Sequence, residues 1–213
     1  MLLKKAAMFG LDARIALAIF GALSVISGAA LYSAIQDSKA IALLTEMQEV
    51  GKAWEQYMLD TGQDLPKFGT SEFDKRTRQT IKLVSDSVSG WSGPYLGYSN
   101  VSGINATVVE TNIGYTMGIS SVSNLDWGYG HAEFNWNTTN IHCNDATIPC
   151  FSAVESASTD ESKILPIFNT LDARIDNNDG TFKGSVRYYT WNHPTLGTIH
   201  VISYKYAAHK MPS

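Results

Sequence analysis

Apolar residues crowd one end of this chain. From Ile15 to Ile35 there are 21 consecutive residues without a charge. As a helix they would span about 31 Å at a rise of about 1.5 Å per residue, the thickness of a hydrocarbon core. Helical patterning continues beyond them. Leu43, Met47, Val50, Trp54 and Tyr57 recur at steps of 4, 3, 4 and 3, with Glu46, Gln48, Glu49, Lys52 and Glu55 on the solvated side. Asp60, Thr61 and Gly62 then stop the helix, and Pro66 marks the exit. The pattern predicts one helix from about Leu11 to Leu59, about 70 Å long. Its first half, 8–35, is apolar all round; its second, 36–60, is apolar on one stripe.

Beyond the helix the texture changes. The polar stretch Phe68–Gly90 carries Ile81, Val84 and Val88 at spacings that predict a second short helix. Strand-like runs follow at Ala106–Ile119, His131–Thr139, Gly184–Trp191 and Thr198–Tyr206, the last two joined by the hairpin-like "NHPTLG". A stripe needs a partner, and an antiparallel sheet with one apolar face provides it. The expected fold is α+β: a long N-terminal helix packed on a C-terminal antiparallel sheet domain at 61–213.

Two other readings of the apolar run fare worse. A secretory signal has a shorter apolar core, of about 7–15 residues, and ends at a cut before polar sequence, whereas here the helical pattern runs on. A buried core helix would need equally apolar surroundings, and the rest of the chain has none. Charge sets the orientation. Lys4, Lys5 and Arg14 precede the span, and Asp37, Lys39 and Glu46 follow it, which puts the N-terminus in the cytoplasm and the chain outside after about residue 36. The formal net charge of -4 gives no basic footprint for nucleic acid. Cys143 and Cys150 bracket "NDATIP", and in an oxidising compartment a disulfide there would stabilise by roughly 2.5 kcal/mol in the chain-entropy description. Two free thiols are the alternative. Metal binding is disfavoured, because His142 beside Cys143 makes a cramped, incomplete ligand set.

Little in the chain speaks of catalysis. There is no G-x-S-x-G, H-E-x-x-H or phosphate-binding loop, the five histidines are scattered, and His200 falls in a strand pattern where packing is the default. Asp126, His131 and the aromatics of "NLDWGYGHAEFNW" form either a binding surface or a loop packed on its own rings. "DNNDG", Asp176–Gly180, invites calcium through Asp176, Asn178 and Asp179. Its spacing fails the EF-hand pattern, and an Asx-rich turn explains the same residues. No enzyme activity and no cofactor are expected.

The start of the chain resembles the N-terminus of type IV pilins and of the pseudopilins of type II secretion systems. "MLLKKAA" (residues 1–7) corresponds to their leader, with Ala7 before the cut and Met8 as the new N-terminus. Asp12 takes the place of their acid, and "AIFG", Ala18–Gly21, that of their apolar tetrad. Acid and tetrad fit in this single register. The departures are an aspartate for the usual glutamate, an alanine for the usual glycine at the cut, and Arg14 inside the apolar block. A cut between Gly10 and Leu11 would restore the glycine but displace the acid, and a start at Met8 would need no cut. "WSGPYLGY", Trp91–Tyr98, is similar to a segment after the family's long helix, and "LDARIDNNDGTFKGSVRYY" resembles its aspartate-rich turn followed by a strand.

The resemblance implies a single-pass inner-membrane protein with a periplasmic C-terminal domain. It would be cut by a prepilin peptidase, N-methylated, and polymerised through its N-terminal helix by a membrane assembly platform. The product would be a homo-oligomeric filament at the cell surface or a periplasmic pseudopilus, with nucleic acid as a partner only for a DNA-uptake pilus. In that family the acid pairs with the α-amino group of a neighbouring subunit, which would make Asp12 an assembly contact. An isolated carboxylate in hydrocarbon costs about 3 kcal/mol or more, so it needs such a partner. The plain alternative seats Asp12 among lipid headgroups with Arg14 snorkelling beside it. A single-span anchored binding or enzyme domain that never polymerises is the competing function.

Overall fold

A computed structural model describes residues 3–69, 77–100, 108–111, 113–123, 150–193 and 195–209. They fall into two compact units, Met1–Lys39 and Ala40–Ser213. The first unit is the leading part of helix α1, which spans Leu3–Thr61. Helix therefore begins well before Leu11, inside the segment expected as a leader. Lys4, Lys5, Ala6, Ala7 and Met8 are all good helix formers, and Gly10 costs only about 1 kcal/mol, too little to end a helix. Ile15, Phe20 and Val25 point to different sides of the helix and expose 51, 70 and 73% of their surface. This helix is long and apolar enough to cross a membrane.

In the second unit the stripe is buried as its spacing predicts. Leu43, Met47, Val50, Trp54 and Tyr57 lie in one core with Leu65, Leu83 and Leu96. Facing them is a sheet of strands β1 (Ser99–Asn100), β2 (Val108–Glu110), β3 (Thr116–Ser123), β4 (Cys150–Ser158), β5 (Val186–His193) and β6 (Gly197–His209). Among the described residues the sheet is antiparallel throughout, in the order β1-β2-β3-β4-β6-β5. Met117, Val154, Val186 and Ile202 turn to the core, while Tyr189, Ile199 and Val201 form a separate buried cluster. Alternation along a strand separates Tyr188 from Tyr189 and Ile202 from Val201 in this way. Tyr206 of β6 lies against Gly51 of α1, where a Cβ would run into its ring.

The β5–β6 hairpin forms where expected, with His193 opposite Gly197. Two expectations change. The run Ala106–Ile119 is two strands, because a turn closes between Thr111 and Tyr115 around Gly114, whose φ is +80°. The second short helix reduces to one 3₁₀ turn, Thr80–Leu83. There Asp86 accepts from the backbone N–H of Ser87, the Lys82 ammonium and the Tyr57 hydroxyl, which favours a turn over further helix. Ile81, Val84 and Val88 still pack on the core. The run His131–Thr139 lies outside the described residues.

Besides the two-residue β1, two elements went unpredicted. Strand β4 occupies the middle of the sheet, yet "CFSAVESAS" is mostly small residues with little strand propensity of their own. Helix α2, Glu161–Ile175, contains Pro166 at its sixth position, where proline removes one backbone bond and costs about 3 kcal/mol, so the sequence pattern argues against it. Its N-cap Asp160 accepts from the Ser162 N–H, and Ile164, Ile167, Phe168 and Leu171 bury one face.

Two polar clamps secure the end of α1. Trp54 Nε1 donates to Asp64 at 2.8 Å, Asp64 pairs with Arg78 at 3.0 Å, and Arg78 donates to Ser121 Oγ of β3 at 2.7 Å. Arg78 is only 2% exposed, and burial lowers its pKa against the opposing pull of Asp64. At the last turn, Asp60 accepts from the Ser92 and Tyr95 hydroxyls, which hold its carboxyl below the usual range. Tyr95 in turn packs edge-on against Tyr57 and Trp91. The segment "WSGPYLGY" thus works as a fastener for the helix end.

Removing one member of a buried ion pair leaves the other uncompensated. Asp64→Ala should therefore lower the unfolding free energy by about 3 kcal/mol, read as a shift of the denaturant midpoint with the slope unchanged.

Candidate functional site

Two groups of residues carry chemistry beyond packing. The first lies on α1. Asp12 and Arg14 are both exposed, and among the described residues no hydrogen bond or ion pair engages either of them. Residues two apart on a helix do not face each other, so this acid and base cannot neutralise one another within one chain. Ala7, Met8, Gly10 and Leu11, the residues of the two cutting registers, all lie on helical backbone. Tetrad residues Ala18, Ile19, Phe20 and Gly21 are exposed.

The second group lies where α2 ends. Asp172 is in its last turns, Asp176 caps it, and Asp179 follows in a turn whose Asn177 and Asn178 adopt left-handed φ of 58° and 60°. Short polar side chains tolerate that region, which is why an Asn-Asn pair suits this turn. Carboxylate oxygens of Asp172, Asp176 and Asp179 lie within 4.8 Å of one another. Asp176 Oδ2 accepts from the N–H groups of Ser185 (2.8 Å) and Val186 (2.7 Å), which ties the helix end to the start of β5. Gly184, with φ +71°, sits where a Cβ would strike the Asp176 carboxylate.

Asp172 is the residue that sequence reading missed here. It is buried; Oδ2 accepts from Gly180 N–H at 3.3 Å, and among the described residues Oδ1 has no hydrogen-bond partner. Burial pushes its carboxyl above the ordinary carboxylate range, Gly180 N–H opposes this, and the charges of Asp179 and Asp176 add to it. On the other side, burial lowers the pKa of Arg187, and Asp179 and Asp176 pull it back up. Among the described residues these three aspartates are the group able to hold a metal ion. The calcium reading of "DNNDG" thus keeps Asp176 and Asp179 but exchanges Asn178 for Asp172. The i, i+4 spacing of Asp172 and Asp176 on one helix face was the signal that could have shown it.

No protein-family model, curated protein or solved structure matches this chain. What it does must therefore be argued from its own residues. His200, read as a packing residue, is buried on β6 with its Nδ1 2.6 Å from the Tyr188 hydroxyl. Cys150 opens β4 opposite Ser123 and His209. Its expected partner Cys143, together with Asp126, His131 and the surrounding aromatics, lies outside the described residues.

The acidic group has a pH signature. Because the folded state holds the Asp172 proton more tightly than the unfolded chain does, this group favours folding at low pH. Its contribution is lost as pH rises through the raised value. Asp172→Asn should remove that dependence. In buffer stripped of divalent cations at pH 7 it should stabilise by about 1 kcal/mol, since an amide can donate where the carboxylate oxygen has no partner. Thermal melts of both proteins between about pH 4 and pH 7 check this, the variant's curve being flatter.

Proposed function

We propose that this protein is the structural subunit, a pilin, of a type IV pilus-like filament. It is inserted in the membrane before assembly and polymerised through its N-terminal helix. One observation carries the reading: α1 is apolar on every side from Ile15 to Ile35, with an unpaired carboxylate, Asp12, at the threshold of that run. An anchor needs only the apolar run, and Asp12 would make it costlier to insert. A subunit that leaves lipid for a helical bundle has a use for a charge that is satisfied only there. The second unit supports this reading, because it buries the stripe Leu43–Tyr57 in a domain with its own core.

In this reading the N-terminus is cytoplasmic, the α+β unit is periplasmic, and a prepilin peptidase and an assembly platform are the partners. The cut falls between Ala7 and Met8. A pseudopilin of a secretion system is the second reading. It is favoured by the "WSGPYL" segment that fastens the helix end and by the aspartate turn at the end of α2.

Mass spectrometry of the protein from its native membrane should find a methylated chain beginning at Met8. An intact chain, or one cut after the apolar run, would refute the processing. Asp12→Ala should insert in the membrane as before and fail to enter filaments, scored by immunoblotting of sheared filaments against the membrane fraction. Normal incorporation would sink the assembly role of Asp12.

A further inference from the structure

Three carboxylates crowd the end of α2, and the backbone sets where each one stands. The Asp172 carbonyl accepts from the N–H groups of Asp176 (2.9 Å) and Asn178 (3.2 Å), which winds the turn back over the helix end. The left-handed Asn177 and Asn178 then return Asp179 to the same place. Oxygens of the three aspartates lie within 4.8 Å of one another. Asp179 comes within hydrogen-bonding reach of the Asp172 carboxyl, yet one carboxylate has no proton to offer another. Asp172 is 5% exposed, and among the described residues its Oδ1 has no hydrogen-bond partner. A buried, unpartnered carboxylate oxygen beside two more carboxylates calls for a positive charge between them. Arg187 on β5 feels the pull of Asp176 and Asp179, while the charges acting on Asp172 are both negative. Three acids against one guanidinium leave two negative charges, which one divalent cation cancels.

We propose that Asp172, Asp176 and Asp179 bind a calcium ion that fastens the end of α2 to the start of β5. The donors are hard carboxylate oxygens with no histidine or cysteine among them, which suits calcium or magnesium and not zinc. Calcium binds oxygen at about 2.3–2.6 Å, so oxygens sharing one ion lie at most about 5 Å apart, as these do. It also accepts irregular geometry, whereas magnesium demands a near-ideal octahedron that a helix end and a turn do not supply. Asp176 accepts from Ser185 and Val186 through Oδ2, and a carboxylate keeps further lone pairs for an ion. A bound ion is thereby tied through Asp176 to the first residues of β5. Asp179 is exposed, which gives the ion a way in. Filament formation is not required: a chain that never polymerises binds the ion in the same way.

The test uses the full-length chain in phosphatidylcholine nanodiscs, freed of divalent cations by a chelator and titrated with calcium chloride by isothermal calorimetry. One calcium per chain should bind, with half-saturation below about 1 mM, the weak end of protein calcium sites. Saturation should raise the melting temperature and slow amide exchange at Gly180, Ser185 and Val186, whereas magnesium chloride at the same concentration should do neither. Asp172→Asn and Asp179→Asn should each weaken calcium binding at least about tenfold, through the lost ligand charge. Asp179 is exposed, so its variant keeps the test open if Asp172→Asn fails to fold. Asn178→Gly keeps the left-handed turn and its backbone N–H, and should bind calcium as the wild type does. No calcium binding up to about 10 mM would overturn the assignment, because that exceeds the weakest affinities of such sites. An equal response to magnesium, unchanged binding in both aspartate variants, or a loss in Asn178→Gly as large as theirs would overturn it too.

Discussion

The burial of Leu43, Met47, Val50, Trp54 and Tyr57 is the interaction on which the second unit depends. These five side chains make α1 a structural member of the domain and not merely a lead-in to it. The sheet supplies Met117, Val154 and Ile202, and α2 supplies Ile164, Ile167, Phe168 and Leu171 to the same core. An aliphatic side chain of this size stabilises by roughly 1.5–3 kcal/mol when fully buried, so the stripe outweighs any single polar contact. What the polar contacts add is position. Trp54 is held through Asp64 and Arg78 to Ser121, and Asp60 is held by Ser92 and Tyr95. The helix therefore ends at a defined residue, with Gly62 in the left-handed conformation that closes it.

The chain revealed its helix patterns more readily than its sheet. A span apolar on all sides, and a stripe repeating every three or four residues, are statements about one segment and can be read within that segment. Strand β4 cannot be read so. It holds the centre of the sheet through partners about thirty residues before it and fifty after it. That protected place lets serine and alanine stand where an exposed strand would want β-branched residues. Helix α2 was hidden by Pro166, a helix breaker at its sixth position whose cost is offset by the buried face of Ile164, Ile167, Phe168 and Leu171. Its apolar face and its aspartate cap were present in the sequence but outweighed by that one residue.

The aspartate group shows the same limit at the level of a site. Asp176, Asn178 and Asp179 are neighbours in sequence and draw the eye together. Only the fold shows that Asp172, one turn earlier, is buried beside them with an unsatisfied oxygen, while Asn178 takes part through its backbone. A motif written in adjacent letters finds turns. A constellation that straddles the end of a helix needs the helix first. Asp12 and Arg14 were legible from the start as letters, and what was missing was the side of the helix each belongs to.

That geometry bears on why an apolar helix carries two charges at its threshold. Placed three or four residues apart they could neutralise each other along one face, and the helix would insert and remain a monomer at little expense. Two residues apart they cannot, and each keeps a desolvation cost of about 3 kcal/mol when it enters hydrocarbon alone. In the proposed filament that cost is met only where a neighbouring subunit supplies the opposite charge, so the two charges make the single chain in lipid the less favourable state and the assembled one the more favourable.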